Sequence, residues 1–137
     1  VGGAATSGFG GRSLTLGIAD AATVFADRAA TADVAATLSG NAVNVESPAV
    51  ERVLAESLDP ETDLRGRRVT RRIGALSADE MDNALDRGAA WARAQVEAGR
   101  IRGAILTLRG RWRFVGWPGA EGVEFPEPRE SPDPAAR

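Results

Sequence analysis

SADEMDNALDRGAAWARAQVEAGRIRGAILTLRGRWRFVGW, residues 77–117, decides the fold class. Ser77 followed by Glu80 three residues later is a capping-box signature for the start of a long helix. Met81, Leu85, Gly88, Ala92 and Val96 recur at helical spacing on one face, and Gly99 stands where a helix-ending glycine belongs. Arg102–Leu108 and Arg111–Trp117 then read as the two strands of a β-hairpin around Arg109 and Gly110. A long amphipathic helix running into a hairpin points to an α+β domain.

Working outward, Arg67–Ala75 reads as a strand, and Ser47 with Pro48 as the N-cap and first-turn proline of a helix ending near Leu58. Asp59 and Pro60 begin a polar loop. The small-residue segment Arg28–Val45 is a third helix. From Arg12 to Asp27 the chain alternates around Leu14, Leu16 and Ile18 and resumes with Thr23, Val24 and Phe25, which predicts two short strands joined near Ala19 and Asp20. The chain opens on a glycine-rich stretch, Gly2, Gly3, Gly8, Gly10, Gly11 and Gly17, with no structural element preceding it. Five of the seven prolines lie beyond Trp117, so residues 1–117 read as one domain and residues 118–137 as a disordered or loosely docked tail.

With 43% hydrophobic and 26% charged residues the 137-residue chain suffices for one packed core. No apolar run approaches the roughly 20 residues of a spanning helix, and no signal peptide opens the sequence, so the expectation is a soluble, cytoplasmic protein. A formal charge of -2 argues against general nucleic-acid binding. Cys, His, Tyr and Lys are absent, and all 17 basic residues are Arg. This excludes a thiolate nucleophile, a Cys/His zinc site, a Ser-His-Asp triad, a Schiff base and a P-loop lysine. Only oxygen ligands remain, which suit magnesium or calcium.

One stretch carries candidate chemistry. Between Ala29 and Val45 the only charge is Asp33, so the helix is expected to be buried on most sides. Asp33, Thr37, Gly40, Asn41 and Asn44 form one polar stripe along it. Asp33 and Thr37, one turn apart, are either a pair of oxygen ligands for a hexacoordinate ion or a structural pair, with Asp33 capping a loop and Thr37 bonding to its own helix. Thr6, Ser7 and Gly8 offer hydroxyls and amides to a phosphate. Arg65, Arg67, Arg68, Arg71 and Arg72 form the densest basic cluster, read as a solvated edge strand or an anion-binding patch. Trp91, Trp112 and Trp117 read as core or interface residues.

ATSG at residues 5–8, GIAD at 17–20 and ADVAAT at 32–37 resemble, in order and spacing, the ApbE-like FAD:protein FMN transferases, and more closely a related prokaryotic family. The resemblance implies a magnesium site at Asp33 and Thr37 and a FAD pocket at Thr6, Ser7 and Gly8, with Asp20 matching a motif aspartate. The motif's histidine is replaced by Gly17 and its proline by Ala21. The implied function is flavin or nucleotide binding, extending to a magnesium-dependent, FMN transferase-like reaction at the FAD pyrophosphate. Non-enzymatic flavin or nucleotide binding, and a structural role with a vestigial site, are the alternatives. The resemblance also implies that residues 1–117 are the C-terminal part of one such domain whose upstream half is a partner, and a homo-oligomer is a separate expectation.

Overall fold

The computed structural model describes residues 2–11 and 13–116. Its elements run β1 (Gly3–Ser7), β2 (Ala21–Ala26), α1 (Ala29–Ala42), β3 (Val50–Leu54), α2 (Ala55–Leu58), β4 (Arg68–Ile73), α3 (Ala78–Glu97), β5 (Gly103–Leu108) and β6 (Arg111–Gly116). The α+β class, the three helices and the final hairpin agree with the sequence. Trp117 and the tail at 118–137 lie outside the described residues.

The capping box forms as the sequence dictates. Ser77 Oγ accepts from the Glu80 amide at 3.1 Å, and Glu80 Oε1 accepts from the Ser77 amide at 3.0 Å. Hydrogen bonds from the Ser47 hydroxyl first and the Ser77 amide second hold the Glu80 carboxyl below its usual range. Between β5 and β6, Arg109 and Gly110 take φ of 48° and 81°, the left-handed pair that a two-residue hairpin turn requires.

β1, β2, β5 and β6 form one antiparallel sheet in that spatial order. Alternation along β2 buries Ala22, Val24 and Ala26 on the face covered by α1 and α3, where Ala104, Leu106, Leu108 and Val115 join them. Cross-strand register puts Thr6, Thr23, Ile105 and Phe114 in one row on the opposite face. α1 packs on β1 and β2, α3 on β5 and β6, and the two helices touch each other. Arg111 and Arg113 of β6 pair with Asp82, and Arg113 also with Asp86, at 2.9–3.2 Å, fastening α3 to the sheet edge. Among the described residues no helix is long and apolar enough to cross a membrane.

Two sequence expectations differ from the fold. Ser47 opens a turn instead of a helix, its hydroxyl accepting from Ala49 N and its carbonyl from Val50 N. Residues 50–54 then form β3, antiparallel to β4, because Val50 and Val53 find Ile73 and Val69 across the ribbon and Glu51 pairs with Arg71. Only Ala55–Leu58 is helical there. The segment 13–20 is not a strand, since its backbone bonds to the end of α1 and to β4. The glycine-rich opening, to which the sequence assigned no element, holds edge strand β1, whose small residues let α1 approach closely.

Candidate functional site

The helix bearing Asp33 is not buried on most sides. Ala32, Ala35, Ala36, Ser39 and Gly40 face the core, whereas Asp33, Val34, Thr37 and Leu38 are exposed. α1 therefore presents a weakly charged open face, and the burial inferred from its composition is corrected. Ala29 lies against Gly3 and Gly40 lies near Ser7, so α1 runs alongside β1. Asp33 sits beside Ala29 and Gly40 on the helical wheel, with Thr37 one turn further on, and both are exposed. Thr37 Oγ1 donates to the Asp33 carbonyl at 3.3 Å, which leaves its oxygen lone pairs facing outward. The Asp33 carboxylate has no side-chain partner among the described residues.

The rest of the polar stripe builds the fold. Asn41 Oδ1 accepts from Leu16 N at 3.1 Å and Thr15 Oγ1 at 3.3 Å, and Asn44 Nδ2 donates to the Leu16 carbonyl at 3.3 Å. Arg52 donates to Asn44 Oδ1. Thr70 completes the clamp, its hydroxyl donating to the Gly17 carbonyl at 2.7 Å and its amide to the Thr15 carbonyl at 2.9 Å. Gly17 is pressed against the Gly40 carbonyl, Asn41 Cα and the Val43 carbonyl, so no side chain fits there. A histidine at this position is sterically excluded in this fold.

Of the other predicted site residues, Thr6 lies on the sheet face away from the helices, sharing a 2.8 Å hydrogen bond with Thr23. Ser7 follows on the helix side, near Gly40. Gly8 is buried against the Asp20 carbonyl and Ala21 Cα, a contact that accounts for its lack of a side chain without a ligand. Asp20 Oδ2 accepts from the Arg109 amide at 2.6 Å and so holds the hairpin turn. The structure thus keeps Asp33 and Thr37 together on the exposed face of α1 and places Ser7 on β1, the strand beside that helix, with Thr6 on the opposite sheet face and Asp20 at the hairpin turn.

In the basic cluster, Arg65 and Arg68 donate to the Pro60 and Arg52 carbonyls and Arg71 pairs with Glu51, leaving Arg67 and Arg72 exposed. Among the described residues no group of three or more His, Cys, Asp and Glu is placed to hold a metal. Asp33 and Thr37 supply two oxygens, which fits magnesium only where a ligand's phosphates and water complete the sphere. One feature escaped the sequence. A groove of about 390 Å³ runs between α1 and α3, lined by Val34, Leu38, Trp91 and Ile101 with Arg28 and Arg100 at one end. Its sequence signal is Val34 and Leu38, apolar and one turn apart, off the buried face of α1.

Fold and site define an α+β domain with an open helix face beside a free sheet edge. The family described as AbpE bacteria matches residues 1–114, and the chain belongs to that family. That is a different family from the ApbE-like transferases, so the resemblance drawn from ATSG, GIAD and ADVAAT is corrected, and the packing at Gly17 agrees. No curated protein and no solved structure matches the chain.

Proposed function

We propose that this chain forms part of a cytoplasmic nucleotide-binding domain, flavin nucleotides included, in which Asp33 and Thr37 hold a magnesium ion against the ligand's phosphates. The observation that carries the reading is an unpartnered carboxylate one turn from an outward-facing hydroxyl oxygen, on a helix face otherwise free of charge. Two protein oxygens are the usual protein share of a magnesium site that a phosphate ligand completes. The ion, when bound, neutralises phosphate charge, and Ser7 on the neighbouring strand β1 offers a hydroxyl to the ligand.

Titration of FAD, FMN and ADP into the protein, with and without magnesium, tests this. Binding is expected to need magnesium, to weaken on the order of tenfold in Asp33→Asn, where shape is kept and charge lost, and to weaken less in Thr37→Val. Metal-independent binding, or an Asp33→Asn protein that binds like the parent, overturns the reading. AMP released from FAD during the same incubation distinguishes turnover from binding.

A further inference from the structure

Val34 and Leu38 are large apolar side chains left 60% and 46% exposed, and both line the α1/α3 groove. Ala35, Trp91 and Ile101 complete its apolar surface. Apolar patches of this kind on a protein surface mark places that something covers. Two guanidinium groups stand at one end. The Asp27–Arg102 pair, joined by hydrogen bonds of 2.9 and 3.0 Å, fixes that end, because Arg28 follows Asp27 and Arg100 lies two residues before Arg102. Asp27 is thereby engaged by Arg102. Arg28 has no side-chain partner among the described residues, the Arg100 side chain donates to Gln95 Oε1 at 3.0 Å, and no carboxylate lines the groove.

An apolar trough that ends in two cations with no facing carboxylate is complementary to an apolar chain that ends in an anion. We infer that the groove binds a free single-chain aliphatic carboxylate, its head between Arg28 and Arg100 and its chain against Val34, Leu38 and Trp91. Arginine supplies the forked donors that a carboxylate accepts from, and it keeps its charge at any working pH. Size selects a small molecule over a protein. A volume of about 390 Å³ is that of a small-ligand pocket, and ten residues line it, whereas a stable protein interface uses about 20–30 residues a side. From Arg28 to Leu38 α1 rises roughly 15 Å, room for one extended chain of intermediate length. Asp33 and Thr37 are not among the lining residues, so this site is separate from the one proposed for magnesium.

Decanoate titrated into the full chain without magnesium tests this, with decyltrimethylammonium as a cation of equal chain length. Decanoate is expected to shift the NMR signals of the Val34 and Leu38 methyls and the Trp91 indole, saturably and one to one, while the methyls of buried Leu108 stay in place. Affinity should rise from octanoate to decanoate by up to about fourfold per added methylene. Arg28→Glu/Arg100→Glu should weaken decanoate binding on the order of tenfold and gain binding of decyltrimethylammonium, a reversal that a misfolded variant could not give. Val34→Ser/Leu38→Ser, at two exposed positions, should flatten the chain-length dependence and keep the parent's Leu108 signals. The inference is overturned by equal binding of decanoate and its cationic analogue, or by parental decanoate binding in either double variant. Two further results also overturn it: no shift at the groove, or Val34 and Leu38 signals that change with protein concentration alone. The last would make the occupant a second copy.

Discussion

At the scale of single residues, two glycines separate what a close contact costs from what it yields. Gly17 abuts only backbone, the Gly40 and Val43 carbonyls and Asn41 Cα, and none of these can turn aside. Gly88 abuts side chains, Val43 Cγ2 and Leu106 Cδ1, and sits in a helix where alanine recovers about 1 kcal/mol of propensity. Gly17→Ala is therefore expected to cost about 3 kcal/mol or more, and Gly88→Ala roughly 1–2 kcal/mol net. Denaturant midpoints of the two variants check the order, and equal losses would show that the loop at Gly17 yields as easily as a core side chain. Asp33 makes a related point about legibility. The sequence isolates it as the one charge in a run of small residues, but which side of α1 meets the sheet is set by strand pairings that no local pattern records.

At the scale of elements, what the sequence makes legible is what local chemistry decides. α3 and the β5–β6 hairpin are read correctly because capping, helical periodicity and turn residues all act within a few positions of one another. Ser77→Ala removes the hydroxyl half of the cap and is expected to cost about 1 kcal/mol, measured by thermal unfolding. An unchanged melting temperature would mean that packing alone fixes the start of α3. β1 goes unread and β3 is misread for the opposite reason. Small residues and a Ser-Pro pair carry no strand signal, and both segments become strands through distant partners, β2 for one and β4 for the other. Segment 13–20 alternates like a strand but spends its hydrogen bonds on Asn41, Asn44, Val43 and Thr70, contacts 25 to 55 residues away in sequence.

At the scale of the whole molecule, the ionisable side chains in the ion pairs and caps that tie elements together are carboxylates and arginines. Asp82 is held below the usual carboxylate range by its hydrogen bond to Arg113 and the nearby charge of Arg111, Asp27 by its hydrogen bond to Arg102, and Glu56 by the Gly66 amide. Glu80 is lowered by the Ser47 hydroxyl and the Ser77 amide. A group whose folded pKa lies below its unfolded value binds fewer protons folded than unfolded, so its stabilisation is complete above the unfolded value, near 4, and is lost as pH falls through the folded one. Acid should then loosen α3 from β6, the β2–β5 end from itself and the α3 cap within one narrow window. Histidine, cysteine, tyrosine and lysine are all missing, so no side chain is poised to titrate from about pH 6 to 10. The melting temperature is expected to be level between about pH 6 and 9 and to fall steeply below about pH 4.5, with Asp82→Asn flattening part of that fall. A melting temperature that changed by many degrees between pH 6 and 9, or an Asp82→Asn protein with the parent's acid profile, would contradict this account of the tethers.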